Sequence, residues 1–304
     1  MDSGGTLYLA DTANNRIRKI TSGGVVSTLA GSGSQTYADG TGASASFSQP
    51  YNVIVDASGN VYVGDTLNNR IRKITSAGVV TTFAGSGAGA YADGTGTSAS
   101  FQNPMGVALD GNGNLYVADF NNHRIRKIDT GAVVSTLAGS GTAAFADGTG
   151  TGASFNNETG VVVDGSGNVY VADAANNRVR KVTSAGVVTT LAGSGTAAYA
   201  DGTGTSANLN NPNSLVLDSS GSLYVADQHN HRIRKITSAG VVTTLAGSGT
   251  AGYADGTGTS AMFNNCYGLT MDASGNLYVS DTANHRIRKM TPLTLTNITI
   301  TTNI

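Results

Sequence analysis

Six aspartates recur at intervals of 54 residues: Asp11, Asp65, Asp119, Asp173, Asp227 and Asp281. Each is followed five positions later by an arginine: Arg16, Arg70, Arg124, Arg178, Arg232 and Arg286. A carboxylate and a guanidinium so close across a short turn can form a charge-assisted pair. The same pair in every repeat is first a scaffold feature, so we expect each to fix a turn rather than to move protons. Of the 19 acidic residues, 17 are Asp at three repeated positions, leaving Asp129 and the sole glutamate, Glu158; all 18 cations lie in copies of Arg-x-Arg-Lys.

The remaining reactive side chains offer little catalytic chemistry. Three of the four histidines, His123, His231 and His285, share one slot of the repeat, which argues for turn packing. His229 and His231 sit in one turn, but no thiolate joins them and Glu158 belongs to another repeat, so no metal or other cofactor is expected. Cys266 stands where other repeats carry Pro50, Pro104 and Pro212, and reads as a packed small residue rather than a nucleophile. The Gly247–Gly252 match to G-x-G-x-x-G has no helix after it. The Asp110–Asn114 run lacks the carboxylate count and distal Glu of a calcium loop.

Composition narrows the partners. A net charge of −1 argues against nucleic acid or an anionic membrane held by bulk electrostatics. No apolar run approaches the roughly 20 residues of a helical membrane span. One cysteine allows no intrachain disulfide and leaves the redox compartment open. Met1 runs straight into a repeat at Asp2 with no signal segment before it, and we expect a piece of a longer chain.

The repeat that holds these residues reads as short strands. In the second copy Tyr51–Asp56, Val61–Asp65, Arg70–Ile74 and Val79–Ala84 are β-branched and aromatic runs separated by Gly/Asn turns. Four such strands form an antiparallel meander. The fold class is therefore all-β: a single domain over 1–304, a six-bladed β-propeller of four-stranded antiparallel blades on a 54-residue repeat. The blade-like repeats fall at about 2–50, 51–104, 105–158, 159–212, 213–266 and 267–304. Between them run long loops with two recurring anchors (Tyr37/Phe47, Tyr91/Phe101, Phe145/Phe155, Tyr199/Leu209, Tyr253/Phe263). Both anchors are expected to be buried, each aromatic contributing on the order of 2 kcal/mol.

The run Asp-x-x-Asn-His-Arg-Ile-Arg-Lys at Asp281–Lys289, preceded by Gly-x-Leu-Tyr-Val-x-Asp, resembles the NHL repeat, and it recurs in register across about residues 2–290. The resemblance implies a six-bladed propeller from a family that mostly binds proteins, RNA or carbohydrates. We expect a non-catalytic binding or structural module, with a protein or carbohydrate ligand, within a larger bacterial extracellular or cell-surface protein, a setting with which Thr-, Ser-, Gly- and Asn-rich surfaces and few Lys are compatible. The alternative the resemblance implies is a metal-dependent lyase or lactonase, for which the inner strands offer chiefly Glu158, Asn213 and Asn52.

Two expectations concern the ring and its mouth. The first repeat begins only at its second strand, and the alternating tail Thr294–Thr302 is expected to be the fourth strand of blade six, with pairing to another chain as the competing use. Repeats that are nearly identical elsewhere diverge at the first-strand entrances and at the turns after the repeated Asp. We therefore place a ligand site at the channel mouth, on Tyr51, Met105, Glu158, Asn213, Tyr267 and His229.

Overall fold

The computed structural model describes residues 1–293 and 297–301. It contains strands and short 3-10 turns, arranged in six sheets that are the six blades of a β-propeller. In blade two the inner strand is Pro50–Val55, followed outward by Val61–Asp65, Arg70–Ile74 and Val79–Ala84. All neighbours are antiparallel, and the inner strand carries a register shift between Pro50 and Val53. A fifth, two-residue strand, Gly40–Thr41, pairs with Val80 and Val79 on the outer edge. It belongs to the loop arriving from blade one. The loops are thus not structureless connectors, because each shields the outer edge of the blade it enters.

Apolar side chains on both strand faces are explained by packing between blades. Ile17 and Ala30 of blade one and Val61, Val63, Ile74 and Val80 of blade two close over Phe47 of the connecting loop. Equivalent clusters lie at the following seams. The second loop anchor is fully buried, as Phe47, Phe101, Phe155, Leu209 and Phe263 show. The first anchor corrects the expectation: Tyr37, Tyr91, Phe145, Tyr199 and Tyr253 are exposed. Their rings instead cover an arginine, with the Arg70 guanidinium 3.9 Å from the Tyr37 centroid.

Blade one differs from the rest. Its sheet has three strands, Leu7–Asp11, Arg16–Ile20 and Val26–Ala30, with neither an inner strand nor an added edge among the described residues. At the other end, Asn297–Thr301 pairs with Arg286–Leu293 and with Gly256–Thr257. That segment is the fourth strand of blade six, Ile300 taking the place Val80 holds in blade two.

Candidate functional site

The residues flanking the channel mouth are set by the end of the second strand. After Asp65 the chain makes a 3-10 turn, Thr66–Asn68, and reverses at Asn69 with a φ of 53°. The equivalent reversals are Asn15, His123, Asn177, His231 and His285. Asn tolerates this left-handed conformation better than most residues, and His shares some of that tolerance. Among the described residues, the side chains of all but His285 then accept a backbone N–H from the next loop: Gln49 to Asn15 Oδ1 at 2.9 Å, Asn157 to His123 Nδ1 at 3.4 Å, Asn265 to His231 Nδ1 at 3.2 Å. Burial holds the His123 and His231 imidazoles below their ordinary pKa, with Arg124 adding to the effect at His123 and His229 at His231. Both stay neutral acceptors near pH 7, which assigns these histidines a joining role.

The repeated aspartates do fix this turn, but not with the arginines five positions on. Asp65 faces Arg70 across the ladder, yet its ion pair is to Arg72, at 2.7 Å. Asp119 pairs with Arg126, Asp173 with Arg180, Asp227 with Arg234, Asp281 with Arg288, and Asp11 with Arg18. Arg16, Arg70, Arg124, Arg178, Arg232 and Arg286 turn outward instead, to backbone carbonyls such as Asn68 and Ser86 for Arg70 and, from Arg70 on, to the exposed loop aromatic. The physical reason is desolvation. Arg72 points into the seam between blades, where a buried guanidinium needs full compensation. Its two terminal nitrogens receive it from Asp65, from Asp39 at 2.7 Å, and from the carbonyls of Ala38 and Ser46, while Nε has no hydrogen-bond partner among the described residues.

At the mouth itself lies a cavity of about 300 Å³ lined by Tyr51, Met105, Phe120, Asn157, Thr159, Ala174, Asn211, Asn213, Gln228, His229 and Tyr267. Tyr51 donates to Asn213 Oδ1 at 2.8 Å, and Asn213 Nδ2 donates to Gln228 Oε1 at 3.2 Å. Tyr51 and Tyr267 meet edge to face. His229 is exposed at the tip of the Gln228–Asn230 turn. The inner strands that carry these groups touch backbone to backbone: a Cβ at Gly106 would fall on the Thr159 carbonyl, and one at Gly160 on that of Asn213.

The structure therefore gathers Tyr51, Met105, Asn213, Tyr267 and His229 around one cavity. Glu158 is the exception and corrects the expectation. It heads its inner strand where Pro50, Pro104, Pro212 and Cys266 stand in other blades, a position aimed into the seam beneath the mouth. Glu158 is fully buried, neither carboxyl oxygen has a hydrogen-bond partner among the described residues, and Oε2 lies 4.0 Å from His123 Nδ1. Burial, with Asp173 and Asp119 nearby, pushes its pKa well above the usual carboxylate range. Cys266 is likewise buried, its thiol donating to the Arg232 carbonyl at 3.4 Å, and burial pushes its pKa up. The lining residues Asn157 and Asn211 escaped the sequence reading because they end the long loops. Their signal is their fixed place, one residue before the inner strand.

Chemically, the mouth offers four carboxamides, three aromatic rings, a thioether and one imidazole, with no carboxylate. Among the described residues no three His, Cys, Asp or Glu side chains converge to hold a metal ion. No helix of the structure is long and apolar enough to cross a membrane.

Fold and site together define a repeat-built β-propeller with a polar and aromatic mouth. The chain is an NHL-repeat propeller: the NHL repeat signature matches residues 101–128, 155–182, 209–236 and 263–290. It is 30% identical to NHL repeat-containing protein 2 of Bos taurus over 321 residues, covering 93% of this chain and 44% of that protein. It is 28% identical to Protein SUPPRESSOR OF QUENCHING 1, chloroplastic, of Arabidopsis thaliana, covering 86% of this chain and 26% of that protein. The chain thus spans less than half the length of these curated relatives. Among solved structures it resembles an auxiliary nutrient binding protein from Bacteroides ovatus (TM-score 0.71, 20% identity, 99% of this chain and 68% of the other). It also resembles virginiamycin B lyase from Staphylococcus aureus (TM-score 0.61, 15% identity, 98% and 80%). At these identities both likenesses establish the fold alone.

Proposed function

We propose that this propeller is a non-catalytic binding module that receives a neutral, hydroxyl-rich ligand, a carbohydrate, at the channel mouth. The observation that carries this reading is the lining of the 300 Å³ cavity: carboxamides of Asn157, Asn211, Asn213 and Gln228 beside the rings of Tyr51, Phe120 and Tyr267. Amides both donate and accept hydrogen bonds, as sugar hydroxyls require, and flat rings offer apolar faces to sugar C–H groups. Similarity to a protein described as an auxiliary nutrient binding protein supports a binding role. An extracellular or cell-surface setting, within a longer bacterial protein, accords with a carbohydrate ligand and belongs to the same proposal. A lyase or lactonase reading is less well served, because the mouth brings a single imidazole and no carboxylate to the cavity.

The test is a glycan array followed by calorimetric titration of the strongest glycan. His229→Ala and Met105→Ala, which leave the tyrosine contact intact, should each weaken binding, and Tyr267→Ala should weaken it at least tenfold, about 1.4 kcal/mol. No glycan bound, or affinity unchanged in all three variants, overturns the reading; a protein ligand found instead at the same residues would replace the carbohydrate.

A further inference from the structure

Each inner strand is entered through a loop residue held by the reversal of the preceding blade. The N–H groups of Gln49, Asn103, Asn157, Asn211 and Asn265 donate to Asn15, Asn69, His123, Asn177 and His231. All these donors sit in the left-handed region, Asn157 at a φ of 56°. Of them, Asn157 and Asn211 line the mouth cavity, and their acceptors differ in kind. Asn211 is held by the Asn177 carboxamide at 2.9 Å, a group that does not titrate. Asn157 is held by His123 Nδ1 at 3.4 Å, and a neutral imidazole has a single acceptor nitrogen.

A second group contests that nitrogen. Glu158, next in the chain, is fully buried, its oxygens have no hydrogen-bond partner among the described residues, and Oε2 lies 4.0 Å from Nδ1. The equivalent slots hold Pro50, Pro104, Pro212 and Cys266, so no other described blade brings a carboxyl there. A buried carboxyl left without a partner is costly, and a proton shared with Nδ1 would give it one. We propose that His123 positions Asn157 at the mouth, and that uptake of one proton by the His123–Glu158 pair releases it. The proton comes from solvent. Whether Oε2 or Nδ1 carries it, it occupies the Nδ1 lone pair that the Asn157 N–H uses. Asn157 then loses the bond that holds its left-handed backbone, and its carboxamide leaves its place in the cavity lining. The charged neighbours offer no rival acceptor. Asp119 and Asp173 face Glu158 but are ion-paired to Arg126 and Arg180, and Arg124 beside the imidazole donates to the Asn122 and Ser140 carbonyls. The cavity's own imidazole, His229, stands exposed on a turn of blade five. The consequence for binding, weaker capture of a carbohydrate in acid, rests on the reading of the mouth as a ligand site; the release of Asn157 does not.

The test is NMR of the isotope-labelled whole protein, titrated from about pH 9 to about pH 5 so as to span the imidazole and a raised carboxyl. The Asn157 amide and the His123 ring nitrogens should follow one titration curve. Across it, hydrogen exchange of the Asn157 amide, taken relative to that of Asn211, should rise at least tenfold toward acid. In His123→Asn, which puts in this slot the residue type that Asn15, Asn69 and Asn177 supply in other blades, the Asn157 amide should stay held at both ends of the range. An Asn157 amide that ignores pH, or one that titrates equally in His123→Asn, overturns the proposal. The measurement needs no glycan, so its failure and a failure of the mouth to bind one are separate results.

Discussion

Tyr51 and Tyr267 meet edge to face with ring centroids 6.0 Å apart, although they belong to blades two and six. No other described blade carries a tyrosine at this position; the residues are Met105, Thr159 and Asn213. The two rings span the front of blade one, which has no inner strand among the described residues. The contact thus links the two blades that flank the gap, and Tyr51 extends it to blade five through Asn213. Removing the ring in Tyr267→Ala should lower stability by about 2–4 kcal/mol in urea unfolding, from lost ring contact and burial. Tyr51→Phe, which loses only the hydrogen bond, should cost about 1 kcal/mol. An unchanged midpoint for Tyr267→Ala would show that the rings touch without bracing the ring of blades.

Burial predicts two different outcomes for one substitution. Asp119→Asn leaves the buried Arg126 guanidinium short of a counter-charge and should cost about 3–5 kcal/mol. Asp11→Asn, in the partly exposed pair with Arg18, should cost no more than about 1 kcal/mol. Denaturant unfolding of the two variants decides the matter, and equal losses would refute the burial argument.

Glu158 makes stability depend on pH. Its folded pKa is raised by burial, so the native state binds its proton more tightly than the unfolded chain does. The contribution is fully present below the unfolded value of about 4.3 and is lost as pH rises through the folded value. Glu158→Gln, a neutral group of the same shape, should flatten the fall in melting temperature between these limits and melt higher at pH 8. Parallel pH profiles for the two proteins would exclude Glu158 as the source.

Two glycines with positive φ separate backbone strain from crowding. Gly85, at φ 105°, would place a Cβ 2.6 Å from the Asn69 carbonyl oxygen, whereas Gly96, at φ 55°, would meet nothing within 4 Å. Gly85→Ala should cost about 2–4 kcal/mol, strain and clash combined. Gly96→Ala should cost about 1 kcal/mol, strain alone. Thermal melts of the pair test the difference.

Periodicity made the blades readable, because β-branched runs and Gly/Asn turns act locally and repeat in register. Five of the six residues expected at the mouth line it, since divergence among near-identical repeats marks where the fold imposes no single solution. The misses are all long-range. Asp65 stands opposite Arg70 in the ladder, and only the desolvation of Arg72 by the neighbouring blade reveals the true partner. Tyr37 is apolar enough to bury, but the arginines it covers lie on strands more than 30 positions away. Glu158 looked available because nothing in its own repeat shows that its slot opens into a seam.

The loop that leaves one blade completes the charge cluster of the next, so no blade is a self-sufficient unit, and each is finished by its predecessor. In a linear array with such nearest-neighbour coupling, cooperativity runs along the chain and frays where a neighbour is absent. Amide exchange should accordingly be fastest in residues 7–30, where Arg18 has a single, partly exposed carboxylate partner among the described residues, and slowest in blades three to five, as unfolding works inward from the seam between blades six and one on both sides.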